Sequence, residues 1–347
     1  MVDFGARSYL ARMVHAVAAR GEGILRVDPT PLLASSSNTA IAFFARRDLL
    51  GNGSEPVGVL WDLPEARRVV ARQSQNGSWR YHGGKRSIRS QENYDQLETF
   101  RQLGILVEKF GFTRQHSSIE RAAFYLLSFQ TDEGDLRGIY GNQYATTYVG
   151  AILELLIKAG YVDDPRIARA LAWLLSMRQS DGAWAIPVRT VGVRFPEFVD
   201  VKHHPEPLAP DRSKPSSHLV TGMVLRAFAV HPAWLKAIEV QGAGELLASR
   251  LYKRDTYADR GEVSYWERVS FPFWFTDIVS SLDTLSRLGQ GACCSCSRSL
   301  AGRFATDLRV SAWWRRRIGT SSRRRSGSSR ANCASAWSVR LSTIQSS

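Results

Sequence analysis

The sequence predicts an all-α fold built from stacked helical hairpins, and three observations carry that reading. Apolar residues recur at three- and four-residue spacing through most of the chain before residue 290. A polar turn of one shape recurs as "RQSQNGSW" (72–79), "SFQTDEGDL" (128–136) and "MRQSDGAW" (177–184). The turn glycines Gly77, Gly134 and Gly182 lie 57 and 48 residues apart, a period of helical-hairpin size.

The elements follow that punctuation. "NTAIAFFARRDLLGNG" (38–53) and "LWDLPEARRVVARQ" (60–73) form a pair before the first turn. "NYDQLETFRQLGILVEKFGF" (93–112) and "SSIERAAFYLLSFQ" (117–130) form the next. In "TTYVGAILELLIKAGY" (146–161), Tyr148, Ile152, Leu155, Leu156 and Ala159 make one apolar stripe. Its partner, "DDPRIARALAWLLSMRQ" (163–179), starts with Asp164 as N-cap and Pro165 at the first helical position. After a long insertion at about 185–215 come "SSHLVTGMVLRAFAVHP" (216–232) and "AWLKAIEVQGAGELLASRLYK" (233–253). "FWFTDIVSSLDTLSRLG" (273–289) opens one more unit. A lone hairpin cannot bury its apolar stripe, so neighbours must stack. In the turns Gly allows a tight bend, Trp packs on helix ends, and Gln offers donors and an acceptor to orphan backbone groups.

Charge divides the chain. Of the net +14, the 58 residues from Gln290 onward carry +10, with 11 Arg and one Asp. Residues 1–289 carry 35 basic and 31 acidic side chains, so the body is nearly neutral and no specific nucleic-acid binding is expected of it. The 290–347 tail also holds all four cysteines, Cys293, Cys294, Cys296 and Cys333, and none of the 13 prolines. Three readings compete: a disordered basic tail for anionic partners, a metal site at "CCSC", or an out-of-frame translation of a GC-rich gene. The tight cysteine spacing speaks against zinc. The break in mid-repeat favours the frameshift. No stretch approaches the roughly 20 apolar residues that span a bilayer, and the N-terminus lacks a secretory apolar region, so a cytoplasmic protein is expected.

Gln73-x-x-x-Gly77-x-Trp79, strengthened by "LIKAGYVDDPRIARALAWLLSMRQSDGAW" (156–184), resembles the QW repeat of the squalene cyclase and prenyltransferase superfamily. The resemblance implies an α/α toroid over 1–289, with inner helices around a cavity and outer helices around them, incomplete at the C-terminus. Individual turns depart from it: Leu136 stands where Trp is expected, and Arg178 lies four before Gly182 with Gln179 one place late. The family's chemistry is harder to find. The Asp-x-Asp-Asp acid of the cyclases is absent, since "YVDDP" (161–165) has only the final pair, better read as a cap. The zinc set of protein prenyltransferases needs a Cys, and residues 1–289 contain none. His203 and His204 have no spaced partners. No cofactor or metal is expected.

What remains is the rim of the implied cavity. First turns of the inner helices place Asp95, Glu98 and Thr99, then Thr146, Thr147 and Tyr148, then His218 and Thr221, then Thr276 and Asp277. Glu98, Asp277 and His218 are the acid–base candidates, against the alternative that such first-turn residues only cap helices. The loop "TDEGDLRGIYGNQY" (131–144) offers ligand-binding candidates Asp132, Glu133, Asp135, Arg137, Tyr140, Asn142 and Tyr144, with an Arg137 ion pair as the structural alternative. The run Tyr265, Trp266, Phe271, Phe273, Trp274 and Phe275 offers aromatic walls, of which Trp266 and Trp274 join Tyr148 as ligand-binding candidates; core packing is the alternative. Three functions are open. One is a terpenoid cyclase- or prenyltransferase-like protein for an apolar isoprenoid or lipid ligand, with peripheral membrane contact. Another is a non-catalytic toroid used for binding or interaction. The third is a carbohydrate-active barrel pairing Asp132 or Glu133 with Glu98.

Overall fold

The computed structural model describes residues 28–53, 55–83, 90–193, 206–257 and 261–290. The predicted tail, apart from Gln290, and His203 and His204 in the insertion lie outside the described residues. Every regular element among the described residues is a helix, joined only by isolated bridges at Gln73–Trp79, Gln130–Leu136 and Gly138–Gly141. No described helix is long and apolar enough to cross a membrane.

These residues fall into two compact units, one holding 28–56 with Gly289 and Gln290, the other 57–288. The expected first hairpin is thereby divided, with 38–53 in one unit and 60–73 in the other. In the smaller unit α1 (Thr30–Ala34) packs on α2 (Thr39–Asp48), whose N-cap Asn38 accepts from the Ile41 amide at 3.1 Å.

The larger unit contains α3 (Pro64–Val70), α4 (Gln91–Phe110), α5 (Ser117–Leu127), α6 (Thr146–Leu156), α7 (Pro165–Ser176), α8 (Pro187–Thr190), α9 (His218–Ala229), α10 (Ile238–Ser249) and α11 (Ile278–Arg287). Local sequence sets the ends. Ser90 and Asn93 close a capping box on α4, and Gly111 ends it at φ 62°. Asp164 caps α7 and Pro165 occupies its first position, as the sequence implies. Helices α4, α6, α9 and α11 pack as successive neighbours, while α5, α7 and α10 pack against α4, α6 and α9 respectively.

Helix α6 departs from its predicted stripe. It is α-helical only to Leu156, after which residues Ile157–Tyr161 form a wider turn around Gly160 at φ 101°. It is buried nearly all round, as is α9, because the two pack directly together. Gly150 permits that approach: a β-carbon there would lie 2.8 Å from the Val224 α-carbon.

The recurrent turns act as clasps. Gln73 Nε2 donates to the Gly77 carbonyl in its own turn (2.9 Å) and to the Ser118 carbonyl in the first turn of α5 (2.8 Å), while Oε1 accepts from Arg121 (2.7 Å). Gln130 repeats every contact one hairpin later, reaching Gly134, Arg166 in α7, and Arg169. The Trp indoles also share a register: Trp79 donates to Val69 at 2.8 Å and Trp184 to Leu174 at 2.7 Å, each ten residues upstream. The Gln73 and Gln130 clasps thus each tie the end of one hairpin to the second helix of the next.

Candidate functional site

Helix α4 begins at Gln91, so Asp95, Glu98 and Thr99 lie in its second and third turns and not in the first as expected. These turns and the first turns of α6 and α9 spend much of their polarity on the clasps. Thr99 Oγ1 accepts from the Trp79 amide at 2.9 Å, Thr221 Oγ1 from the Trp184 amide at 3.2 Å, and Thr146 donates to the Ala185 carbonyl at 3.0 Å. Asp95 accepts from the Tyr81 amide at 2.7 Å.

The acid–base candidates are engaged in the same way. Glu98 accepts from Gln102 (2.5 Å) and pairs with Arg101 (3.4 Å) on its own helix. Asp277, 1 % exposed, caps α11: Oδ1 accepts from the Ser280 amide (2.8 Å) and Oδ2 from the Ser270 amide (3.3 Å). Burial raises its carboxyl above the usual aspartate range, and these bonds only partly offset that. His218 stacks on Trp266 with centroids 4.7 Å apart, its Nε2 3.3 Å from Asp255 Oδ2. That same carboxylate oxygen accepts from Ser217 Oγ (2.9 Å) and the Leu219 amide (3.0 Å), so Asp255 holds the start of α9. Burial lowers the His218 pKa below 6.5, against the pull of Asp255. Each of the three is therefore held in position by a partner in the fold.

The 131–144 loop folds onto itself. Arg137 Nε bonds the fully buried Asp135 (2.6 Å), Nη1 the Asn142 carbonyl (2.9 Å) and Nη2 Glu133 (3.3 Å), with its guanidinium 4.8 Å from the Tyr144 ring centre. Tyr144 donates to Glu133 at 2.7 Å; burial first, then that carboxylate, push its phenol up to about 12. Asp132 is exposed. Five of the seven loop candidates thus meet in one ion-paired turn, which is the structural alternative for Arg137.

Of the aromatic candidates, Tyr140, Tyr148 and Trp274 come together elsewhere, whereas Trp266 is buried against His218 and does not join them. Tyr140 meets Tyr148 edge to face at 5.4 Å, Tyr148 meets Phe100 at 5.8 Å, and Phe100 meets Trp274 at 5.5 Å. Phe100 is buried, whereas Tyr140, Tyr148 and Trp274 remain part-exposed. The ladder joins the 131–144 loop, α6, α4 and the approach to α11. Trp274 seats against α4 where Gly104 leaves room: a β-carbon there would be 2.9 Å from its ring.

A buried ion lattice beside the ladder was not anticipated from sequence. Lys158 lies 2.6 Å from both Glu108 and Glu154, and Arg226 Nε lies 2.7 Å from Glu154. The other guanidinium nitrogens donate to the carbonyls of Phe275 (3.3 Å) and Phe273 (3.0 Å). Glu154 is 4 % exposed and Arg226 2 %. Burial raises the Glu154 carboxyl, but Lys158 and Arg226 outweigh it and lower it to about 2. Burial depresses the Lys158 amine, and Glu108 and Glu154 outweigh that to raise it. The signal was present: Glu154 and Lys158 stand four apart in an otherwise apolar run, and Arg226 interrupts "LVTGMVLRAFAV".

Among the described residues no group of three or more His, Cys, Asp or Glu is arranged to hold a metal. No protein-family model matches this chain, and no curated protein matches its sequence.

Proposed function

We propose that the 57–288 unit is an α/α toroid of the squalene cyclase and prenyltransferase type that binds an apolar, isoprenoid-type ligand against its aromatic ladder. The observation that carries this reading is the part-open ladder Tyr140–Tyr148–Phe100–Trp274, whose ring faces suit a polyene chain. Ring closure is supported by the neighbour order α4–α6–α9–α11 and by Trp274, which brings the approach to the last of these helices back to the first. The engagement of Asp277, His218 and Glu98 as cap and pair partners supports binding over acid–base turnover. Glu133 and Glu98 are occupied by Tyr144, Arg137, Arg101 and Gln102, which gives a paired-carboxylate glycosidase less support.

Native mass spectrometry of protein from its own host tests this directly: a retained isoprenoid or lipid is expected. A matching titration with farnesol should quench tryptophan emission in the unsubstituted protein and much less in Trp274→Phe. With neither a retained lipid nor quenching, the ligand reading falls, leaving the non-catalytic interaction module.

A further inference from the structure

Residues 270–277 cross the unit as a short strap carrying Phe271, Phe273, Trp274 and Phe275. Its base is closed by one side chain: Asp277 caps α11 through Oδ1 and holds the Ser270 amide through Oδ2. Thr276 docks it on α9 by donating to the Leu219 carbonyl at 2.5 Å, where Gly222 leaves space for it. Its crest is read by Arg226, which donates to the carbonyls of residues 273 and 275 on either side of Trp274.

We infer that Arg226 is a positioning residue that sets the aromatic wall of the ligand site, with Glu154 as its anchor. The geometry is restrictive. One guanidinium holds both carbonyls that bracket Trp274, so it fixes the backbone on either side of the ring that meets Phe100 and the Gly104 face of α4. A planar fork with one nitrogen fixed by Glu154 has the remaining donors spaced to take both carbonyls at once; an ammonium does not. Lys158, itself paired with Glu108, holds Glu154 in turn, so the position of Trp274 is set by charges drawn from α4, α6 and α9 and from the turn after α6. Wall placement is thereby coupled to the buried lattice rather than to the exposed rim. The ligand class rests on the function proposed above; the strap assignment does not.

The test uses the full chain and two readouts. In Arg226→Lys, hydrogen exchange at amides 273–276 should quicken about tenfold, the loss of one charge-assisted bond, while α5 and α7 keep their protection. Gly104→Ala, which leaves the lattice untouched, should displace Trp274 from the other side and quicken the same amides. In both variants the ratio of farnesol to geraniol affinity should shift, because a displaced wall alters length selectivity. Unchanged strap exchange in both variants overturns the inference. So does equal quickening throughout the chain, which would make Arg226 a general stabiliser. If the unsubstituted protein binds neither alcohol, the ligand reading fails while the exchange result still decides the strap.

Discussion

The first two clasps and the third look alike in sequence and differ in what they hold. At Gln73 and Gln130 the amide binds the carbonyl of the turn glycine and the first turn of the next second helix. At the third turn the backbone is the same. Gly182 donates to the Gln179 carbonyl at 2.9 Å, as Gly77 does to Ser74 and Gly134 to Thr131 at 3.0 Å. The glutamine, however, sits one residue later on that backbone. Its Nε2 therefore reaches the insertion, binding the carbonyls of Asp211 (2.7 Å) and Lys214 (2.9 Å). Asp181 completes this corner, accepting from the Ser216 amide and hydroxyl at 2.9 Å and from Arg250 at 3.2 Å. A one-residue shift thus exchanges a helix start for a loop, and identical backbone turns come to support different partners.

The largest expected effect is at the glycines. A β-carbon at Gly77 would stand 2.3 Å from the Arg121 carbonyl oxygen, at φ +89°, whereas nothing lies within 4 Å of one at Gly182. Gly77→Ala should cost about 3 kcal/mol or more, and Gly182→Ala only the left-handed backbone term of about 1 kcal/mol. Thermal melts that lose equally in the two variants would break the comparison.

Next come the glutamines. Gln73→Ala strips donors from two carbonyls and an acceptor from Arg121, an expected loss of about 1–3 kcal/mol, with faster hydrogen exchange at the start of α5. Gln179→Ala should instead loosen residues 211–216 and leave α10 unchanged. Exchange that quickens at α10 would mean that the third clasp reaches a helix after all.

The smallest effect is a difference in pH profile. At the first corner His116 caps α5 as an acceptor from the Ser118 amide at 3.2 Å, and burial, followed by Arg121, lowers its pKa below 6.5. The unfolded chain protonates first as pH falls, so this cap's contribution is complete above about 6.5 and declines below it. At the third corner burial raises the Asp181 carboxyl, but the Ser216 and Ala183 bonds and Arg250 outweigh it and lower the pKa below 3.8. That contribution persists above 3.8 and is lost only in stronger acid. Exchange followed from pH 7 to 4 should therefore loosen α5 before residues 211–216. The reverse order would contradict the assigned acceptors.

Legibility followed the range of the interaction. Asp164 and Pro165 announced the start of α7 because a cap is satisfied within a few residues. The stripe read for 146–161 was wrong about its environment, since periodicity cannot report a second buried helix arriving against Gly150. Asp277 was visible as a first-turn acid, but its second acceptor site, filled by the Ser270 amide, depends on how the strap folds back. The ladder's members were each singled out except Phe100, which reads as one more apolar residue of α4 until Trp274 is placed on it.

By itself the sequence determined the helices, their caps and the recurring turns, because each depends on spacing of at most a few residues. Only the tertiary structure decided which carbonyl each glutamine reaches, that four charged residues meet as a buried lattice, and which aromatics form one surface. Those outcomes turn on contacts between residues from about 30 to more than 170 positions apart, where a shift of one residue or one missing β-carbon changes the partner.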